Sequence, residues 1–241
     1  CNFARAAEGE PALLSFDDAR TLFHEFGHAL HGLLSDVTYA SLAGTSVARD
    51  FVELPSQLFE HWLETDDIIG TYARHYETGA AMPDTLRDKL KAARNFNQGF
   101  ATVEYLASAL VDLAFHSDPR AAETDPLAFQ AQLLDEIGMP SAIVMRHAAP
   151  HFLHIFAGEG YAAGYYSYMW SEVLDADAFT AFEETGDVWN ADLAEKLEKH
   201  IYSAGGQAKE SDAYIAFRGR MPDVNGLLTK RGLGSASAPV S

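Results

Sequence analysis

His24-Glu25-Phe26-Gly27-His28 lies inside a stretch whose apolar residues, Phe16, Ala19, Phe23, Phe26, Leu30, Leu33 and Leu34, recur every three or four positions. That period is helical, and it dictates how the motif is displayed. At about 100° per residue the two histidines stack on one face a turn apart, where both imidazoles can reach a single tetrahedral ion. Glu25, one residue on, stands beside such an ion rather than on it, able to take a proton from its water. Ser15 and Asp18 fit a capping box ahead of the stretch, so the helix is expected to start there and to run to Ser35-Asp36.

Most of the remaining sequence keeps the helical period. A second helix is expected from about Arg49 to Glu64, with Leu54, Leu58, Trp62 and Leu63 on its apolar face and Pro55 early, where proline does least harm. A long helix from Asp84 to about His116 stops at Asp118-Pro119. Pro126 opens another, to about Ile137, and shorter helical stretches follow near 190–202 and 211–219. Val37 to Thr45 leans toward a strand or short hairpin. Residues 157–164, Ala-Gly-Glu-Gly-Tyr-Ala-Ala-Gly, let backbone approach something closely, and an aromatic helix start follows at Tyr165-Tyr166-Ser167-Tyr168. The fold class is mainly α with at most a small β element. Residues 1–231 read as one catalytic region and 232–241 as a loose tail.

Charge and cysteine count limit the partners. Seventeen Lys and Arg against 35 Asp and Glu give a net charge of −18, and the basic residues never gather into a stripe. Neither nucleic acid nor an anionic membrane is expected as a partner. No apolar stretch reaches the ~18 residues that a membrane span requires. The single cysteine, Cys1, allows no disulfide within the chain and excludes a Cys-rich zinc site, so a reducing, cytoplasmic setting is expected. Cys1 at the start, without methionine, reads either as a processed lipoprotein or as a piece of something longer.

A catalytic zinc takes three protein ligands and leaves a fourth position to water. A third histidine in the extended version of the motif would require glycine at 31 and histidine at 34, where the chain has His31 and Leu34. A carboxylate from the next helix is the remaining solution. Glu53 is the choice, while Asp50, Glu60 and His61 share parts of its face and Asp36 and Glu64 are blander candidates. Metal-bound imidazoles usually donate their other N–H to a carboxylate or carbonyl, a role open to Glu60 or Asp50.

A second constellation is Tyr161, Tyr165 and Tyr168, whose spacing forms one face of a helix. Behind a glycine-rich loop, such a face either packs as an aromatic stripe or aims phenol O–H groups at an anion.

These residues together resemble a known family. Thr21 to Trp62, with His24-Glu25-Phe26-Gly27-His28-Ala29-Leu30-His31-Gly32 and Arg49-Asp50-Phe51-Val52-Glu53-Leu54-Pro55-Ser56-Gln57, is similar to the zinc oligopeptidases that include thimet oligopeptidase and bacterial peptidyl-dipeptidase. The likeness continues through His75-Tyr76-Glu77-Thr78-Gly79-Ala80-Ala81-Met82-Pro83 and Gly160 to Trp170, and its phrases are nearest the peptidyl-dipeptidase subgroup. It implies one Zn2+ per chain on His24, His28 and Glu53, with Glu25 as general base and short peptides as substrates. It also implies that Tyr161, Tyr168 and a histidine before the loop donate to the substrate carbonyl. That histidine is His154, with His151 as fallback, because Ala157 and Glu159 interrupt the loop. Members of the family are much longer, so the chain matches their C-terminal portion and forms one wall of a deep substrate channel. Its implied partner is the N-terminal portion of the same protein. Release of dipeptides from a peptide's C-terminus is the expected activity, with endo-acting cleavage and a non-catalytic zinc-binding fragment as alternatives.

Overall fold

The computed structural model describes residues 1–234; residues 235–241, most of the expected tail, lie outside the described residues. Along the chain the helices are α1 (Phe16–Leu33), α2 (Leu54–Leu63), α3 (Asp66–Tyr72), α4 (Asp84–Ala93), α5 (Gln98–Ser117), α6 (Arg120–Glu123), α7 (Pro126–Glu136), α8 (Leu153–Phe156), α9 (Ser167–Thr185), α10 (Ala191–Leu197), α11 (Glu210–Arg218) and α12 (Val224–Lys230). Among the described residues there is no strand, only an isolated antiparallel bridge between Arg74 and Ala81. The fold is mainly α, as the periodicity indicates. No helix among the described residues is long and apolar enough to cross a membrane.

The start of α1 is fixed by the expected box: Ser15 Oγ accepts from the Asp18 N–H at 3.1 Å, and Asp18 Oδ2 accepts from the Ser15 N–H at 3.0 Å. Other boundaries differ from the sequence reading for local reasons. The β-leaning segment at 37–45 is instead a 3-10 turn, Ala40–Leu42, flanked by extended Tyr39 and Ala43; with no neighbouring strand to pair with, its β preference has no ladder to join. The helix expected from Arg49 begins at Leu54, with Pro55 in its first turn and residues 49–53 as turns. The long helix expected over 84–116 is two. Asn97 adopts a left-handed φ of 54° between them, a conformation that asparagine tolerates better than most residues and that no helix can continue through.

That break coincides with a division of the chain into two compact units. The first comprises Cys1–Arg94 with Ser171–Lys230, and the second Asn95–Trp170 with the chain from Arg231 onward. In the first unit, the core gathers Leu54, Leu58 and Trp62 from α2, Leu174, Ala178 and Phe182 from α9, and Ile201, Tyr202, Tyr214 and Phe217 from later segments. Burial of each large side chain contributes about 1.5–3 kcal/mol. A polar tie runs through the same core. His61 Nε2 lies 2.7 Å from Asp175 Oδ1, Lys230 Nζ reaches the same oxygen at 2.9 Å, and the His61 ring stacks on Phe179 at 4.4 Å. Burial and the Lys230 charge push the His61 pKa down, so that its ring is neutral.

α1 packs on this core with less of its apolar face than its pattern suggests. Phe23, Leu30 and Leu34 reach the core, but Phe26 and Leu33 remain 49% and 77% exposed, and the buried residues of the helix are Gly27 and His31. In the second unit, Ala107, Val111 and Met145 form a smaller core with Phe115, Leu133, Leu134 and Met139 around it.

Candidate metal centre

Beside the stack of Phe23 on Phe59 at 5.3 Å, helix α1 brings its histidine face close against the first turn of α2. The reason is Gly27. A β-carbon there would stand 2.6 Å from Ser56 Cα and 2.7 Å from the Pro55 carbonyl oxygen. Only hydrogen on Gly27 lets the two backbones approach that closely. The contact brings Glu53, the residue that caps α2, under the turn of α1 bearing His24 and His28.

The result is a cluster of three donor atoms. His24 Nε2 and His28 Nε2 lie 3.3 and 3.2 Å from the same oxygen, Glu53 Oε2, and the two imidazole centroids are 4.9 Å apart and nearly perpendicular. Among the described residues, His24, His28 and Glu53 form the one group of three or more His, Cys, Asp or Glu residues able to hold a metal ion. Zinc bonds of about 2.0–2.1 Å at a tetrahedral angle set ligand atoms roughly 3.3 Å apart. The donor set and its spacing therefore fit that ion.

A second layer of groups orients these three side chains. His24 Nδ1 lies 2.7 Å from Glu60 Oε1; a carboxylate only accepts, so Nδ1 carries the proton and Nε2 faces the cluster. The Ser56 hydroxyl donates to the Glu53 carbonyl at 2.8 Å, with Glu53 Oε2 at 3.2 Å. Tyr202 donates to the Pro55 carbonyl at 2.9 Å, and Ser171 to the Asp50 carbonyl at 3.0 Å, pinning the turn that delivers Glu53. Of the other carboxylates considered, Asp50 is outside the donor cluster, Glu60 serves His24, and Glu64 pairs with Arg94 at 3.0 Å. His31 is buried against Tyr202, and burial together with the neighbouring His28 pushes its pKa down to about 4. Glu25 is exposed and outside the ligand cluster.

The carboxylates of the cluster favour positive charge on its imidazoles, and the imidazoles favour negative charge on Glu53. Burial disfavours a charged His24, but the Glu53 and Glu60 carboxylates outweigh it and raise its pKa from 6.5 to about 9. Burial also opposes ionisation of Glu53, yet the two imidazoles hold its carboxyl well below the usual range.

The tyrosines lie in the second unit and meet by a route the helical spacing did not describe. Tyr161 and Tyr165 are in turns before α9, and only Tyr168 is on the helix. All three rings surround His154 of α8, at centroid distances of 5.1, 5.4 and 5.9 Å for Tyr161, Tyr165 and Tyr168. Tyr168 Oη is 3.5 Å from His154 Nε2. His151 falls in a separate 3-10 turn, Ala149–His151. Two residues that sequence reasoning passed over shape these sites. Gly27 occupies an unspecified position of the H-E-x-x-H motif. Asp112 is fully buried in α5, and a carboxylate inside the apolar run Leu110-Val111-Asp112-Leu113 was the available signal.

Comparison with known proteins then decides the family: the model of Peptidase family M3 matches residues 1–233. The chain belongs to that family. It is 42% identical over 236 residues to dipeptidyl carboxypeptidase of Escherichia coli (strain K12), covering 97% of this chain and 34% of that protein. It is 41% identical over 238 residues to oligopeptidase A of the same organism, with the same coverages of 97% and 34%. Against probable cytosolic oligopeptidase A of Arabidopsis thaliana the identity is 39% over 244 residues, covering 99% of this chain and 34% of the relative. The chain thus spans about a third of the length of these M3 relatives.

Two outcomes test this geometry. Gly27→Ala should destabilise the chain by about 1–3 kcal/mol in denaturant unfolding and lower the affinity measured for added zinc, because backbone cannot yield as a side-chain tip can. Parent stability together with parent affinity would show that α2 can retreat without disturbing Glu53. In the metal-free chain, folded His24 keeps a proton to about pH 9 that the unfolded chain loses near 6.5. The stabilisation is complete below 6.5 and is lost as pH rises through about 9. Glu60→Gln removes one of the two carboxylates responsible, so its melting temperature should decline less across that window than the parent's. Equal slopes would mean that Glu60 does not hold the proton on His24.

Proposed function

We propose that this chain is the zinc-holding, catalytic part of a longer peptidase that hydrolyses short peptides and releases dipeptides from their C-terminal ends. The observation that carries this reading is the convergence of His24 Nε2, His28 Nε2 and Glu53 Oε2 at 3.2–3.3 Å contacts. A zinc ion held there supplies Lewis acidity, lowering the pKa of water toward ~7 and polarising the scissile carbonyl. Glu25 takes the proton from the attacking water and later passes it to the leaving amine. Its exposure outside the ligand set suits a group that must exchange protons. Glu60 keeps His24 oriented through Nδ1.

Tyr168 and Tyr161 donate O–H groups to the oxyanion that develops on the carbonyl, with His154 as a further donor. One such donor is typically worth about 3 kcal/mol. The clustering of these rings around His154 supports their acting as one group. The partners in this reading are short peptides and the N-terminal portion of the same protein, which completes the substrate channel. A cytoplasmic setting draws support from the relative described as probable cytosolic oligopeptidase A.

Endo-acting cleavage is the second reading, favoured by the 41% identity to oligopeptidase A, one percentage point below that to dipeptidyl carboxypeptidase. One experiment addresses both the chemistry and the bond cut. In the full-length protein, Glu25→Gln should retain zinc and lose turnover by at least about 100-fold, since the amide cannot accept the proton. Mass spectrometry of parent products from a defined peptide should show C-terminal dipeptides first. Zinc loss in Glu25→Gln would make Glu25 a ligand or prop, and longer internal fragments appearing first would select the endo-acting alternative.

A further inference from the structure

We propose that Asp112 is a positioning residue, whose buried carboxylate latches the loop that carries Tyr161 and Tyr165 and leads into Tyr168. The proposal rests on the reading in which these tyrosines act on the substrate. A carboxylate buried in the middle of an apolar helix is costly unless its oxygens are hydrogen-bonded. Asp112 meets that condition with groups outside the main chain of its own helix. Oδ1 accepts from the Ala163 N–H at 3.0 Å and lies 2.9 Å from His116 Nδ1, and Oδ2 accepts from the Tyr165 N–H at 2.8 Å.

Two of these partners are backbone amides of the loop, which has no ladder or helix to supply their acceptors. Ala163 has a left-handed φ of 53°, which a β-carbon disfavours; the carboxylate therefore holds a backbone shape the loop would otherwise leave. Tyr105, two turns upstream on the same face of α5, holds the other side of the same segment. Its hydroxyl donates to the Tyr165 carbonyl and accepts from the Met169 N–H at 3.1 Å. Both the amide and the carbonyl of Tyr165 are thus fixed from one helix. Tyr168 follows within a turn, so its phenol, 3.5 Å from His154 Nε2, inherits that placement. At the other end of the loop the Tyr161 N–H donates to the Gly158 carbonyl at 2.9 Å, and a β-carbon at Gly158 or Gly160 would meet nothing within 4 Å. The turns within the loop close on local backbone bonds, Gly164 N–H to the Tyr161 carbonyl at 3.2 Å and Ser167 N–H to the Gly164 carbonyl at 3.1 Å, and the latch at 163–165 ties them to α5.

The test is Asp112→Asn, with Tyr105→Phe as an independent second variant, in the zinc-loaded full-length protein. Asparagine keeps one acceptor oxygen but turns an N–H2 toward a backbone donor. Amide hydrogen exchange at Ala163 and Tyr165 should rise at least about tenfold while α7 amides keep their protection, and zinc content should stay at parent level. Because misplaced donors act chiefly on the transition state, kcat should fall about tenfold or more with a smaller change in KM. Unchanged exchange at Ala163 and Tyr165 would overturn the latch. Faster exchange with parent kcat would overturn the reading that the tyrosines act on the substrate, and with it the positioning role. Loss of zinc or of protection throughout the fold in both variants would make Asp112 a purely structural residue.

Discussion

Two helix backbones meet at Gly27, closer than any side chain permits, and the cluster of His24, His28 and Glu53 depends on that contact. With Gly27 against Ser56 and Pro55, the cap of α2 lies beneath the histidine face of α1, and Glu53 needs no long reach to meet both imidazoles. The arrangement has a cost. Phe26 and Leu33 stay exposed while His31, a polar ring, is buried. Helix α1 thus shares its inward side between the histidine face and the apolar residues Phe23 and Leu30, which pack on the core. The stability forgone there is supplied by the α2 and α9 core behind it, where Leu54 and Leu58 are fully buried.

The charge of the chain takes on meaning at the same place. A net charge of −18 acts over the whole surface and is screened by salt, whereas the Glu53 and Glu60 carboxylates act at contact distance within a partly buried pocket. Their pull on His24, strong enough to outweigh desolvation, is the same pull that a divalent cation would feel. His61, one residue beyond Glu60, has the opposite environment: burial and Lys230 keep it neutral against Asp175. Neighbouring residues on one short helix thus divide the work, Glu60 orienting His24 and His61 tying α2 to α9 and α12.

How far the sequence could be read follows from which interactions are local. The capping box, the helical period of α1 and the pairing of His24 with His28 depend on neighbours within a few residues, and all were legible. Glu53 was only one of several carboxylates by spacing, because its selection depends on a close approach between two helices that Gly27 permits. The split at Asn97 was missed since an apolar period runs through it, and nothing in that period registers one left-handed residue. The tyrosine spacing suggested a helical face, whereas Tyr161 and Tyr165 come from turns shaped by Asp112, a tertiary contact across more than forty residues. The division into two compact units was likewise invisible, having no linker composition to mark it.

The central claim is that three side chains, and Glu53 among them, make one zinc site. Competition of the metal-free chain against a chromophoric chelator measures this directly, comparing the parent with Glu53→Ala. The account predicts one zinc per parent chain and an affinity at least about a hundredfold weaker in the variant, which has lost one of its three ligands. A Glu53→Ala chain that still bound one zinc with parent affinity would contradict it.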